Sequence, residues 1–130
     1  MVNKSNKFKE IKHFTDLETW KVNREVVILV YKTTATFPKE EKYGLTNQMR
    51  RASVSVLSNI AEGWRRYHFG DKTKFCYQAR GSNCELQNLL IIAKDLQYIS
   101  LENFAKLKQK VFQGYKIING LVKSIERQNS

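Results

Sequence analysis

The sequence predicts an all-α protein, an antiparallel up-down-up-down four-helix bundle. Three observations carry that prediction. Apolar side chains return at steps of three and four through four separate stretches, which is the period of one helix face. Short segments with turn chemistry separate the stretches, and short connections force neighbouring helices to run antiparallel. Alternating apolar and polar runs and hairpin signals, the marks of a sheet, are missing from the sequence. At 130 residues and 42% hydrophobic, with a single proline, the chain suits one domain with a packed core.

Residues 1–14 read as a basic N-terminal arm, and the bundle is expected over residues 15–130. The arm sets Lys4, Lys7, Lys9 and Lys12 against Glu10, with Phe8, Ile11 and Phe14 placed to pin its end to the core. Thr15-Asp16-Leu17-Glu18 has the form of a capping box, a threonine oxygen for an orphan N–H and a glutamate three residues on. A first helix is expected from there to about Thr36, with Leu17, Trp20, Arg24, Val27 and Tyr31 on one face. Its run from Val26 to Val30 suits a strand when taken alone. The capped start and the length favour helix. Phe37-Pro38 ends it, because proline disfavours α geometry in the residue before it.

The second helix is expected to begin between Pro38 and Leu45 and to run to about Glu62. Leu45, Met49, Ala52, Val56 and Ile60 form its apolar stripe, and Gly63 is placed as a left-handed residue that closes it. Asp71, after Gly70, is a good N-cap for the third helix. There Phe75, Ala79, Ser82, Leu86, Leu89, Ala93 and Leu96 make a sustained heptad seam, widened by Leu90 and Ile92. Ser100 caps the fourth helix, whose seam is Phe104, Leu107, Val111, Gly114, Ile118, Leu121 and Ile125.

Charge points to function. Lys and Arg number 23 against 12 Asp and Glu, a net charge of +11. Such an excess on a small domain is the footprint of a polyanionic partner, with a basic surface kept for solubility as the plainer reading. The excess is local: +3 on residues 1–14, +4 on 63–80 and +4 on 100–130, while 15–36 are neutral and 81–99 carry −1. In Gly63-Trp64-Arg65-Arg66-Tyr67-His68-Phe69-Gly70-Asp71-Lys72-Thr73-Lys74, basic and aromatic residues interleave. Single-stranded nucleic acid calls for that mixture, with cations on phosphates and rings against bases at about 1–3 kcal/mol per base. Plugging the end of the bundle is the other use for the same rings. Arg50, Arg51 and Arg80 extend the candidate patch.

Catalytic and metal chemistry finds no constellation. The two histidines, His13 and His68, lack carboxylates at ligand spacing, and the di-metal, zincin, nucleophile-elbow and phosphate-loop motifs do not occur. No cofactor is expected, and a non-enzyme is. Cys76 and Cys84 lie eight residues apart in one helix, about 12 Å and beyond disulfide reach. Reduced, buried or half-buried thiols are expected, as in a cytosol. No apolar run exceeds the six residues from Val26 to Tyr31, and the N-terminus lacks the apolar region of a secretory signal. A soluble cytoplasmic protein without a membrane partner is expected.

Several blocks are similar to a known family. They are Leu17-Glu18-Thr19-Trp20-Lys21, Phe37-Pro38-Lys39-Glu40-Glu41-Lys42-Tyr43-Gly44-Leu45-Thr46 and Gln48-Met49-Arg50-Arg51-Ala52. Ser58-Asn59-Ile60-Ala61-Glu62-Gly63 and Ala79-Arg80-Gly81-Ser82, with Glu85 following, complete the set. Together they resemble the bacterial four-helix-bundle proteins encoded within intervening sequences of large-subunit ribosomal RNA genes, the ribosomal S23-like family. The resemblance runs from about Phe8 to Ile125 and implies an antiparallel bundle that assembles into a ring-shaped homopentamer. A related accessory protein of diversity-generating retroelements forms such a basic pentamer and binds nucleic acid and a reverse transcriptase. Leu57 stands where that family usually has proline, and Trp64 to Phe69 is richer in aromatics than its usual pattern.

The shared motifs have expected physical roles. Gly81 in mid-helix costs about 1 kcal/mol against alanine, so a close helix approach is expected there. Asn59 and Glu62, near Arg51 or Arg80, are expected to form a polar network that fixes bundle register or a subunit contact. The leading functional expectation is a homo-oligomer that binds nucleic acid through Arg50, Arg51, Trp64, Arg65, Arg66, Tyr67, Lys72, Lys74 and Arg80. The alternative is a scaffold for an acidic protein partner, such as a polymerase or reverse transcriptase.

Overall fold

A computed structural model describes residues 10–66 and 69–128, the side chain of residue 69 excepted. Four helices, α1 (Glu18–Thr34), α2 (Leu45–Trp64), α3 (Phe69–Asp95) and α4 (Leu101–Gln128), form the antiparallel bundle that the periodicity predicts. They pack in a closed square, α1 against α2 and α4, and α3 against α2 and α4. The stripe of α2 is buried throughout, from Leu45 and Met49 to Ile60, and Leu107, Val111, Gly114 and Ile118 of α4 face it across the core. One core cluster joins Val30, Met49, Leu86, Leu90, Leu107 and Val111. A smaller one joins Val56, Ile60, Ala79 and Ile118, with Leu17 and Trp20 packed on it. Each of the larger side chains gains about 1.5–3 kcal/mol from burial.

The start of the bundle differs from expectation. A short 3-10 turn, Phe14–Asp16, precedes α1, and its capping box uses His13 and Asp16 rather than Thr15 and Glu18. The Asp16 carboxylate accepts the backbone N–H groups of Lys12 at 3.0 Å and His13 at 3.1 Å. Leu17, in extended geometry, separates this turn from α1 and caps it without a side-chain bond. Phe14 does anchor the end of the arm, its ring centre 5.7 Å from that of Trp20. The rest of the arm, residues 1–9, lies outside the described residues.

The buried face of α1 is Thr19, Asn23, Val26, Val30 and Thr34, rotated from the predicted one. Arg24 and Tyr31 face solvent, and Val27 is half-buried. Polar residues occupy the inward face because they bond to their own helix. Asn23 Nδ2 donates to the Thr19 carbonyl and the Thr34 hydroxyl to the Val30 carbonyl, both at 2.8 Å. The helix ends at Thr34, two residues before the expected boundary.

At the end of the bundle that carries the α1–α2 and α3–α4 connections, Glu41 fastens one to the other. Its Oε1 accepts the Leu45 N–H at 3.0 Å, capping α2, and its Oε2 accepts the Tyr98 hydroxyl at 2.8 Å. These two bonds hold the Glu41 carboxyl below its ordinary range, and the same contact raises Tyr98. Gly44 leaves room for it, since a Cβ there would lie 2.7 Å from Glu41 Oε1 and push the carboxylate from its place. Past α3, Gln97 takes the left-handed conformation at φ 63°. Tyr98 N–H then bonds the Ala93 carbonyl and Gln97 N–H the Lys94 carbonyl, the two bonds of a Schellman motif. Leu96 therefore falls past the helix and leaves the predicted seam, 49% exposed. Ile92 also faces solvent, while Leu90 is buried. Ser100 caps α4 as expected, its hydroxyl accepting the Asn103 N–H at 3.1 Å.

Three glycine and cap assignments change. Gly63 is inside α2 rather than beyond it, and no described glycine has positive φ. A Cβ at Gly63 would stand 3.1 Å from the Phe75 Cβ, so its use is the close approach of α2 and α3. Gly81, expected at a close approach, is exposed, with nothing within 4 Å of its would-be Cβ. Asp71 lies in the first turn of α3, which begins at Phe69, and acts there on the helix dipole rather than as N-cap. Cys76 is buried and Cys84 exposed, both as free thiols, so only Cys76 has the burial expected.

Candidate nucleic-acid interface

The candidate site forms at the corner where α2 ends and α3 begins. α2 runs on through Gly63 to Trp64, so Trp64, Arg65 and Arg66 stand at its C-terminal end, and Lys72 and Lys74 on the first turns of α3. Because Gly63 lets the two helices close up, cations of each reach rings of the other. Lys72 Nζ lies 5.9 Å from the centre of the Trp64 ring, and the Arg66 guanidinium 4.9 Å from that of Phe75. Arg66 also pairs with Glu62 at 3.0 Å. Arg65 and Lys74 face solvent. Among the described residues, the ion pairs leave Arg51, Arg65, Lys72 and Lys74 without a carboxylate. Tyr67 lies outside the described residues, as does the side chain of Phe69.

Trp64 is half-buried and carries a lysine over its ring. It therefore helps close the end of the bundle while keeping an edge toward solvent. The corner offers an excess of cations over its two carboxylates, Glu62 and Asp71, first, and a half-buried ring second.

The predicted arginines elsewhere do not join it. Arg50 and Arg51 sit 14 or more residues back along α2, about 21 Å from Arg65. Arg50 is half-buried and works as a brace, its Nε donating to the Thr34 hydroxyl at 2.9 Å and its guanidinium 4.6 Å from the Tyr31 ring centre. Arg51 is exposed. Arg80 turns toward α4, donating to Asn119 Oδ1 at 3.0 Å over the Tyr77 ring at 4.9 Å.

The expected network of Asn59 and Glu62 with Arg51 or Arg80 does not form within the chain. Asn59 bonds the Ser55 carbonyl at 2.9 Å, and Glu62 takes Arg66. What links α2 to α3 is instead a hydroxyl pair, Ser55 with Ser82, at 2.9 Å. Glu85 is exposed on α3 and makes no ion pair among the described residues.

What sequence reasoning missed on the fourth helix, marked as basic by its +4 over residues 100–130, is the pairing of its lysines with rings. Lys108 lies 5.9 Å from the Phe104 ring centre and Lys116 5.2 Å from that of Phe112. The signal was present as an aromatic residue followed four places on by lysine, twice in one helix. Elsewhere, burial pushes the Cys76 thiol up, with Lys72 opposing, which keeps it protonated. No cluster of His, Cys, Asp and Glu able to hold a metal occurs among the described residues, and no helix there is long and apolar enough to cross a membrane.

The fold is similar to that of a solved structure. A protein of unknown function from the S23 ribosomal protein family of Bacteroides thetaiotaomicron superposes with a TM-score of 0.73 at 17% identity, covering 81% of this chain and 98% of that one. No curated protein matches the sequence significantly. A family model, 23S rRNA-intervening sequence protein, matches residues 15–120, from the 3-10 turn well into α4. The chain belongs to the family of 23S rRNA-intervening sequence proteins.

Proposed function

We propose that the chain is a non-enzymatic, homo-oligomeric bundle that binds nucleic acid mainly through phosphate contacts. One observation carries this reading. In a chain of net charge +11, Arg65 at the end of α2 and Lys72 and Lys74 on the first turns of α3 stand without carboxylate partners, near Arg66 and Trp64. Unpaired cations at a helix corner attract a phosphate backbone without reading bases, and each phosphate neutralised releases a counterion. The family's link to ribosomal RNA genes makes single-stranded RNA the natural probe. The triple variant Arg65→Ala/Lys72→Ala/Lys74→Ala is expected to lose most RNA affinity while melting normally, because these groups face solvent or cover a ring. Unchanged affinity contradicts the reading.

Self-association is supported by α3. Between Tyr77 and Asn88 its exposed residues carry one charge, Glu85, on an otherwise basic protein. Gly81 lies in that face with open space above it. A helical glycine costs about 1 kcal/mol, and a neighbouring copy packed close against α3 explains its presence. Five copies, as the resemblance implies, carry about +55 and multiply weak phosphate contacts by avidity. Sedimentation velocity tests this: Gly81→Leu is expected to sediment as a smaller species than the unaltered chain.

A further inference from the structure

A groove between α3 and α4, on a different face from the α2–α3 corner, has the build of a helix-docking site. Leu90 and Val111, both buried, form its floor, and Ile91 and Phe112, 49% and 48% exposed, form its walls. It encloses about 280 Å³. That is below the usual size of a small-molecule cleft, which begins at about 300 Å³, and it suits one or two side-chain anchors.

The rim is cationic. Lys94 and Lys108 hold their ammonium groups 5.0 Å and 5.9 Å from the centre of the same Phe104 ring, and Lys116 lies 5.2 Å from that of Phe112. Phe104, Lys108, Phe112 and Lys116 follow at four-residue steps, a ladder of alternating ring and charge about 18 Å long. Asp95, 3.7 Å from Lys94, is the one carboxylate paired with these lysines among the described residues.

We propose that this groove docks an acidic amphipathic helix of a partner protein. Apolar anchors at i, i+3 or i+4, and i+7 enter between Ile91 and Phe112, and flanking carboxylates meet Lys94, Lys108 and Lys116. Charge complementarity selects this occupant. A second copy brings either a basic surface or the nearly neutral α3 face, whose exposed residues offer Glu85 alone to a rim of three lysines. A phosphate backbone meets the lysines but leaves the apolar floor of Leu90 and Val111 and the walls of Ile91 and Phe112 unfilled, and stacked bases need ring faces. Here the Phe104 ring is covered by two ammonium groups, and Phe112 lies parallel to Tyr115, at 9° and 6.1 Å, with Lys116 above it. The lysine stems swing aside for an apolar anchor while their charged heads stay at the rim.

The test titrates the full chain into a fluorescein-labelled designed helix of roughly 20 residues, with leucine at that spacing and glutamate on both flanks. A second peptide replaces every glutamate by lysine. The acidic peptide is expected to bind saturably and the lysine version not at all. Ile91→Glu is expected to weaken binding at least about tenfold and Lys108→Glu several-fold. Melting of both variants should stay unchanged, since both side chains are exposed. Arg65→Ala/Lys74→Ala, on the other face, should leave peptide binding intact, which separates this inference from the nucleic-acid reading. Absent saturation, equal binding of the lysine peptide, or insensitivity to Ile91→Glu overturns it. So does loss of RNA binding in Ile91→Glu, which assigns the groove to nucleic acid, or dissociation of that variant into smaller species, which assigns it to a second copy.

Discussion

Asn23 and Gly114 are fitted to one another where α1 meets α4. The Asn23 side chain, 1% exposed, donates to the Thr19 carbonyl, while its Oδ1 finds no hydrogen-bond partner in the core. That oxygen occupies the space a Cβ on residue 114 would need. The separation of the two helices at this level is therefore set by the missing side chain. Gly114→Ala is expected to cost about 1–3 kcal/mol through overpacking, despite alanine's better helix propensity. Adding Asn23→Ala should restore part of that loss, a coupling readable in a double-mutant cycle of urea midpoints. An unchanged midpoint in the single glycine variant contradicts the fit.

Gln97 holds the C′ position of α3 at φ 63°, where glycine is the unstrained residue. Gln97→Gly is expected to stabilise the chain by about 0.5–1 kcal/mol, a rise in Tm of about 2–4 °C. Calorimetry checks it, and a lower Tm contradicts the assigned motif.

The Glu41–Tyr98 contact makes stability depend on pH at both ends of the scale. Glu41 is lowered in the folded chain, by the Leu45 N–H first and the Tyr98 hydroxyl second. Its contribution is fully present above the ordinary glutamate value of about 4.3 and is lost as pH falls through the lower folded value. Tyr98 is raised, mainly by the same bond, so its contribution is present below the ordinary tyrosine value of about 10 and is lost as pH rises through the higher one. Urea midpoints of Glu41→Gln are expected to fall less between pH 5 and pH 3 than those of the unaltered chain. Parallel curves contradict the contact.

Arg50 separates a structural arginine from a binding one. Arg50→Ala, which loses the bond to Thr34 and the Tyr31 ring, is expected to cost about 1–2 kcal/mol of stability and to leave RNA affinity nearly unchanged. Arg50→Lys should not rescue it, since a single ammonium cannot serve both a ring face and a hydroxyl in that geometry. Thermal melts and RNA titrations on the same samples decide the matter.

These cases also show where the sequence was legible. The stripes of α2 and α4 read directly because their inward residues are apolar, Leu45 to Ile60 and Leu107 to Ile118. The face of α1 did not, because Thr19, Asn23 and Thr34 are buried polar groups, and Asn23 and Thr34 bond to carbonyls of their own helix, which hydropathy does not register. The end of α3 carries Gln97 in the left-handed position where glycine is commonest, so no glycine marked it in the sequence. At the site, Arg65, Lys72 and Lys74 were readable as a cluster because they are near in sequence. Whether Arg50 or Arg80 is free depends on what another helix presents: Thr34, sixteen residues away, for Arg50, and Asn119, thirty-nine away, for Arg80.

The central claim is that unpaired cations of the α2–α3 corner bind a phosphate backbone. Fluorescence anisotropy of a labelled single-stranded RNA, repeated at several salt concentrations, tests it most directly. With Arg65, Lys72 and Lys74 as the contacts of one chain, the logarithm of affinity is expected to fall with the logarithm of salt at a slope of about −2, steeper in an oligomer. Each alanine substitution at Arg65 or Lys74 should flatten that line by about 0.7. No binding at low salt, or a slope unmoved by those substitutions, contradicts the account.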